Sequence, residues 1–203
     1  MRRAGELWER HADEIGAWNV REVGAIPPLA GFALHVSASE CYEASALPSA
    51  PLGTVLSSEE PRISLAERVP VGVVGVISPF NVPLILGIRA VAPALALGNA
   101  VLLKPDPRTV ITGGIAMVRI FEEAGLPPGL LQLVPGGAEV GEALVTEPLV
   151  RVIAFTGSTR AGRIVGELAG RHLKRAHLEL GGNSAFIVRE DADVDQAVNL
   201  ATW

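Results

Sequence analysis

The sequence has a single cysteine, no cluster of basic residues and no long unbroken apolar run. The lone Cys41 excludes an internal disulfide framework and indicates a reducing compartment such as the cytoplasm. Lysine and arginine number 17 against 22 acidic residues, and their scatter argues against nucleic-acid binding. The longest apolar stretch, 84–103, is interrupted by Arg89, Pro93 and Gly98, so it predicts a buried helix and a strand rather than a membrane span. The N-terminus predicts a charged amphipathic helix, and no signal peptide is visible.

The first quarter of the chain predicts two helices. Apolar residues recur at helical spacing over 5–23, and Gly24 with the Pro27-Pro28 pair predicts the end of this helix. Cys41 falls on the second helix, 29–47, without a basic neighbour, so it is expected to be a small buried or half-buried hydrophobe rather than a nucleophile. The apolar side of this second helix is expected to carry Phe32, Val36 and Tyr42.

The rest of the chain predicts a hairpin and then an α/β domain. Segments 54–56 and 62–69 predict an exposed hairpin, which is either an oligomer contact or an ordinary surface hairpin. The pattern beyond it alternates between strands and helices, with strands at 71–77, 100–103, 130–134, 152–155, 176–180 and, less regularly, 186–188, and helices at 83–97, 112–124, 139–145, 162–173 and 195–202. This alternation predicts an open, Rossmann-like parallel sheet with helices on both faces. We therefore divide the chain into N-terminal helices and a β-hairpin of the cofactor domain, 1–68, and a dinucleotide-binding α/β domain, 69–203.

A carboxylate stands at the end of the last clear strand, directly before a glycine-rich turn. The segment 177–184, HLELGGNS, places Glu179 two residues before Gly181 and Gly182. Burial at a strand end would raise the pKa of this carboxyl group and make it a usable general base near neutral pH. The alternative is a turn carboxylate that caps a helix.

Three other strand ends carry groups that could bind a ligand. The turn 156–162 is a degenerate Gly-x-Gly-x-x-Gly between a strand and a helix, where a pyrophosphate binds, although Ser158 or Thr159 could simply cap the helix. Lys104 could donate to ribose or phosphate, or it could be an exposed loop lysine. Asn81, held between two prolines, could donate to an oxyanion or form an Asx-turn. Because these residues end different strands, one crevice could hold Asn81, Lys104, Ser158 and Glu179.

Five motifs in order and spacing resemble the N-terminal, cofactor-binding part of NAD(P)-dependent aldehyde dehydrogenases. The resemblance covers nearly the whole chain and is strongest from 70 to 203. The variants KPDPRT at 104–109 and ELGGNS at 179–184 look most like the benzaldehyde dehydrogenase branch. The motifs are Pro79-Phe80-Asn81-Val82-Pro83, Leu103-Lys104-Pro105, Gly125-Leu126-Pro127-Pro128-Gly129 with Val134-Pro135-Gly136, Phe155-Thr156-Gly157-Ser158-Thr159 and Leu178-Glu179-Leu180-Gly181-Gly182.

The resemblance implies the oxidation of an aldehyde, aromatic in the benzaldehyde branch, to its acid with NAD or NADP, of which NAD is favoured. It assigns Glu179 as the base that activates water for thioester hydrolysis and Asn81 as the oxyanion-hole amide. It also implies no metal, and a homo-oligomer for the intact enzyme. The cofactor-binding residues that it implies are Ile77, Ser78, Pro79, Phe80, Lys104 (adenosine ribose), Gly136 (adenine), Phe155, Thr156, Gly157, Ser158 (pyrophosphate), and Leu180 and Gly181 (nicotinamide).

The sequence departs from the family pattern beside the ribose-binding lysine. Many members carry a glutamate where Pro107 stands, and proline supplies no carboxylate to the ribose. The choice between NAD and NADP therefore stays open at this position. The neighbouring Arg108 is a hypothetical ligand for the 2′-phosphate of NADP.

The second departure concerns the nucleophile. In the family a cysteine thiolate attacks the aldehyde, and this cysteine follows the Glu-Leu-Gly-Gly motif after one more helix, whereas Trp203 falls within that helix. The resemblance also implies a longer lead before Met1. We therefore expect a fragment of an aldehyde dehydrogenase that is inactive by itself, since Cys41 precedes every motif. The alternatives are a non-catalytic dinucleotide-binding or interaction module, and a chain that does not fold stably.

Overall fold

The computed structural model describes residues 1–202; Trp203, the last residue of the predicted second domain, lies outside the described residues. None of the described helices combines the length and apolar character needed to cross a bilayer. The elements are α1 (Arg2–Arg10), α2 (Ala12–Val23), α3 (Pro27–Ala46), β1 (Gly53–Leu56), β2 (Ser64–Glu67), β3 (Val73–Ile77), α4 (Pro83–Ala96), β4 (Ala100–Lys104), α5 (Ala116–Glu123), β5 (Leu131–Leu133), α6 (Ala138–Thr146), β6 (Val150–Thr156), α7 (Thr159–Arg171), β7 (Arg175–Glu179) and α8 (Val194–Ala201).

Five of the described strands form one parallel sheet in the order β5-β4-β3-β6-β7. The chain builds outward from β3 to β5, then returns to the other side of β3 and continues to β7. In this sheet Ile77 pairs with Lys104 on one side and with Phe155 on the other. The strand order therefore reverses between β3 and β6, and ligands bind outside the carboxyl ends of strands at such a point.

Helices cover both faces of the sheet, which confirms the predicted fold class. Val76 and Leu103 pack in one hydrophobic core with α4, α5 and the N-terminal helices. Ile153 and Phe155 point the other way and pack in a second core with Leu144 of α6. Alternate residues of each strand thus feed different cores, because successive side chains of a strand lie on opposite faces.

The N-terminal helix predicted over 5–23 is two helices. The break falls at His11, whose φ of −96° and ψ of 18° leave the helical region. On either side α1 packs against α3 and α5, while α2 packs against α3 and a short π-helix, Ile111–Ile115. The sequence has no proline or glycine at the break, so the bend follows from these separate tertiary contacts. Gly24, in the left-handed region at φ 75°, ends α2 as predicted.

Helix α3 begins at the proline pair that was expected only to terminate the preceding helix. Pro27 occupies the first turn, where a missing N–H costs nothing. The expectation for Phe32 was wrong, since this ring is 55% exposed. Small residues form the buried side instead, because α1 and α4 pack closely on both sides of α3; these are Ala30, Ala33, Ser37, Ala38, Cys41 and Ala44, with Leu34.

Two other predicted elements differ. The helix expected over 112–124 starts as the π-helix, because Glu22 accepts hydrogen bonds from the backbone N–H groups of Ile111 (2.8 Å) and Thr112 (2.7 Å). Segment 186–188 forms no strand and is exposed. The predicted hairpin is confirmed: β1 and β2 pair antiparallel, and their residues are almost all exposed.

Candidate functional site

A cavity of about 980 Å³ opens beside α4 and the strands β3, β6 and β7. Its floor is the sheet face formed by residues such as Val76 and Ala154. The cavity brings together most residues that the sequence assigned to a site, from three separate strand ends. These lining residues are Ile77, Pro79, Phe80, Asn81, Thr156, Gly157, Ser158, Glu179, Leu180 and Gly181.

The glycine-containing turn after β6 leads directly into α7. Ser158 is the N-cap, and its hydroxyl accepts a hydrogen bond from the backbone N–H of Ala161 at 3.2 Å. The capping role is therefore present. The hydroxyl hydrogen can still be donated to a ligand at the positive end of the helix.

Gly157 of this turn and Gly162 of α7 are both set by close packing. A Cβ on Gly157 would lie 2.6 Å from the ring of Phe155, and a Cβ on Gly162 would collide with Leu180. The backbone N–H of Gly157 also donates to the carbonyl oxygen of Glu179 at 3.0 Å. The turn and the Glu-Leu-Gly-Gly segment are consequently held as one wall of the cavity.

Glu179 is not buried within the described residues, so the expected burial of its carboxylate was wrong. It ends β7, the edge strand, and its side chain is 65% exposed. Its Oε1 lies 3.2 Å from Nε2 of His177. This partner was missed, although the two-residue spacing along a strand places both side chains on one face. The role of Glu179 as a base stays a prediction.

Asn81 lines the cavity and is exposed. It stands in the loop between Pro79 and Pro83, where α4 begins. Asn81 follows β3 and Glu179 ends β7, with β6 between these strands, so the two residues reach one cavity from different strands.

Lys104 is buried, which excludes the exposed-loop alternative. Only 6% of the residue is exposed, and its Nζ donates to the carbonyl oxygen of Pro105 at 3.3 Å. Burial lowers the pKa of the ammonium group, and the charges of Asp106 and Glu139 partly oppose that shift. Its methylenes pass beside Gly141 of α6.

The predicted single crevice is therefore only partly correct. Lys104 and Phe155 are absent from the cavity lining, because their side chains lie on the sheet face covered by α6 and α7. Gly136 precedes α6 with φ of +153°, and a Cβ there would run into Val140. Ser78 is buried, and its Oγ has no hydrogen-bond partner among residues 1–202. The predicted site residues therefore lie on both faces of the sheet, near the carboxyl ends of its strands.

Cys41 is fully buried between helices, as expected. Burial raises the pKa of its thiol from an ordinary 9.0 to about 11. The thiolate is thus suppressed at neutral pH, and Cys41 cannot serve as the nucleophile.

We predict that a soluble disulfide reagent labels native Cys41 at least about a hundredfold more slowly than the denatured chain. Because the folded chain holds the thiol proton more tightly, the free energy of unfolding should fall as pH rises from about 9 to about 11. Cys41→Ala should lose that slope. Rapid native labelling, or the same slope in the variant, would contradict the buried thiol.

The strand order and the capped helix at its reversal point define an open, Rossmann-like α/β fold. The sequence profile of the aldehyde dehydrogenase family matches residues 1–203. The chain belongs to the aldehyde dehydrogenase family.

Curated relatives support this assignment. Vanillin dehydrogenase of Amycolatopsis sp. (strain ATCC 39116 / 75iv2) is 68% identical over 203 residues, which are all of this chain and 42% of that protein. Benzaldehyde dehydrogenase [NAD(+)] of Pseudomonas putida is 50% identical over 204 residues, again 42% of its length. The chain thus spans less than half of these relatives.

Solved structures share the fold. An NAD-dependent benzaldehyde dehydrogenase from Corynebacterium glutamicum superposes with a TM-score of 0.92 at 45% identity, covering 98% of this chain and 44% of that one. A salicylaldehyde dehydrogenase from Pseudomonas putida G7, complexed with salicylaldehyde, superposes with a TM-score of 0.90 at 35% identity.

The residues present fit a dinucleotide. The start of α7 offers backbone N–H groups and the Ser158 hydroxyl to a diphosphate. The buried Oγ of Ser78 lacks a partner within the described residues, and the buried Lys104 ammonium reaches a backbone carbonyl. Such groups at the carboxyl ends of strands are suited to bind ribose and phosphate oxygens.

Proposed function

We propose that these residues form the cofactor-binding part of an NAD-dependent dehydrogenase that oxidises an aromatic aldehyde to its carboxylic acid. The observation that carries the proposal is the cavity that joins Asn81, Ser158 and Glu179. The names of the relatives support the substrate class and the cofactor, since they are vanillin, benzaldehyde and salicylaldehyde dehydrogenases and two are named for NAD. A cytoplasmic location and a homo-oligomer belong to the same proposal.

In this proposal the chain's own residues bind the cofactor and orient the reacting groups. The α7 start and Ser158 would hold the diphosphate, Lys104 would hold the adenosine ribose, and Leu180 with Gly181 would face the nicotinamide. The bound nicotinamide supplies a hydride acceptor. Asn81 donates its amide N–H to the oxygen on which negative charge develops. Glu179 accepts a proton from the water that releases the acid.

By itself, the 203-residue chain is proposed to bind dinucleotide without turning over aldehyde. The supporting observation is that Cys41, its single cysteine, is fully buried and far in sequence from the site motifs. A cysteine nucleophile for the aldehyde would have to come from another segment.

We predict that the purified chain binds NAD in a calorimetric titration, whereas mixing it with NAD and vanillin or benzaldehyde gives no rise in NADH absorbance. Lys104→Met should weaken NAD binding about tenfold, because a charged donor to the ribose is lost. The matched control is Lys174→Met, since Lys174 is the chain's other lysine and adjoins the opposite, amino end of β7.

Each result tests a different part of the proposal. A monodisperse, cooperatively melting chain that binds no NAD would overturn the cofactor-binding role. Aldehyde-dependent NADH formation would refute the inactivity of the 203-residue chain. Equal NAD affinity in Lys104→Met and Lys174→Met would remove the ribose role of Lys104.

A further inference from the structure

The side chain of Arg108 is held between a carboxylate and an aromatic ring. Its Nε lies 2.8 Å and its Nη2 2.9 Å from the two carboxylate oxygens of Asp106. Its Cζ lies 3.7 Å from the centre of the Phe80 ring. A planar guanidinium can make both contacts at once, through its edge and its face.

Asp106 is also held by the backbone of the same loop. It is the N-cap of a short 3₁₀ helix, Pro107–Thr109, and its Oδ1 also accepts from the backbone N–H of Arg108 at 3.0 Å. The hydrogen bond from the Arg108 side chain is the main cause that holds the pKa of the Asp106 carboxyl below its ordinary value, and the backbone bond adds to it. The carboxylate is therefore ionised at neutral pH and neutralises the Arg108 charge, so a phosphate beside Arg108 would also meet a fixed negative charge.

The stack joins the loops that follow two neighbouring strands. Phe80 follows β3 and Arg108 follows β4, and the last residues of these strands, Ile77 and Lys104, are paired in the sheet. Phe80 lines the cavity and precedes Asn81, whereas Arg108 is absent from the cavity lining. Arg108 therefore contacts the cavity wall through the Phe80 ring.

We propose that Arg108 is a positioning residue that fixes the Phe80 ring, and with it the Asn81 loop, in the cavity wall, and that it is not a ligand for a 2′-phosphate. The inference rests on the proposed cofactor-binding function. It assigns Asp106 the task of orienting Arg108. In this proposal Arg108 acts on the geometry of the loop and does not bind the 2′-phosphate of NADP.

The first test is calorimetric titration of the chain with NAD and, separately, with NADP. Arg108→Ala is expected to weaken both by the same factor, about fivefold, because both dinucleotides share the nicotinamide end. Arg108→Lys should recover only part of this loss, since an ammonium keeps the charge but not the planar fork. The control is Arg119→Ala, which removes an exposed arginine paired with Glu122 on α5.

A double-mutant cycle separates positioning from a general structural effect. In a Phe80→Leu background, Arg108→Ala should have no further effect on NAD affinity, because the partner ring is already gone. The midpoint of thermal unfolding should stay close to that of the parent in Arg108→Ala, since the Arg108 side chain is 63% exposed. Loss of NADP affinity alone, or independent effects of the two substitutions, would overturn the proposal.

A second measurement needs no cofactor. In spectra of the ¹⁵N-labelled chain, the Arg108 Nε–H signal should be displaced by the ring current of Phe80 and should move in Phe80→Leu. Arg108→Ala should shift the side-chain amide signals of Asn81, whereas Arg119→Ala should not. Unchanged Asn81 signals would refute the positioning role even if the chain bound no NAD, and a chain that shows these shifts but binds no NAD would refute only the proposed function.

Discussion

Glu179→Gln is expected to lower steady-state aldehyde oxidation by about a hundredfold to ten-thousandfold, the range that loss of a general base produces. The amide keeps the size of the side chain and its place in the cavity wall but cannot accept a proton from water. The first turnover should survive, because Glu179 is assigned to release of the acid and not to attack on the aldehyde. A burst of NADH followed by almost no further turnover is therefore the expected trace.

The measurement requires a protein with the family nucleophile. A chimera in which this chain replaces the matching segment of the Amycolatopsis vanillin dehydrogenase provides that nucleophile. The two sequences are 68% identical over the replaced segment. Glu167→Gln is the matched control, because Glu167 is an exposed carboxylate on α7 that pairs with Arg171. Unchanged steady-state turnover in Glu179→Gln would sink the assignment of the base.

Trp8→Ala is expected to cost about 3 to 5 kcal/mol of unfolding free energy, as other deletions of large buried aromatic rings do. Trp8 is fully buried in the core that joins α1 and α3 to the sheet. Because small domains have a total of only about 5 to 15 kcal/mol, this single change should remove a large share of the stability and lower the midpoint of unfolding. Urea unfolding followed by circular dichroism measures the loss.

The chain offers an internal control for this prediction. Trp18, on α2, is 36% exposed and has a stacked Arg21 beside it, so Trp18→Ala should cost only about 1 kcal/mol. Equal losses for the two tryptophans would show that the N-terminal helices are not docked on the α/β core as the structure has them.

Glu179 and Lys104 show that the sequence predicts the position of a strand-end residue better than its burial. Both residues were correctly placed at the carboxyl edge of the sheet by the run of apolar residues before them. Only the structure decided the burial of each: Lys104 is enclosed, which excludes the exposed loop lysine, and Glu179 is open, contrary to its expected burial. Enclosure depends on strand order and on the helix that lies over each strand, and neither property is written in the local sequence.

The same distinction applies to the helices. Local patterns predicted α4, α6 and α7, since their boundaries follow from proline, glycine and capping residues. The break at His11 and the π-helix held by Glu22 were missed, because each is imposed by contacts between residues distant in sequence. Arg108 belongs with these cases, since its two partners are a near neighbour and a ring from another loop.

The sequence by itself determined the fold class, the order of the elements and the family, because apolar periodicity, turn residues and short motifs are local properties. Only the tertiary structure decided which strand ends share a cavity, which charged groups are buried and that Arg108 stacks on Phe80. The physical reason is that burial and electrostatic pairing depend on the neighbours of a side chain in space. Those neighbours come from segments up to about half the chain apart, and the order of the strands in the sheet decides which segments come together.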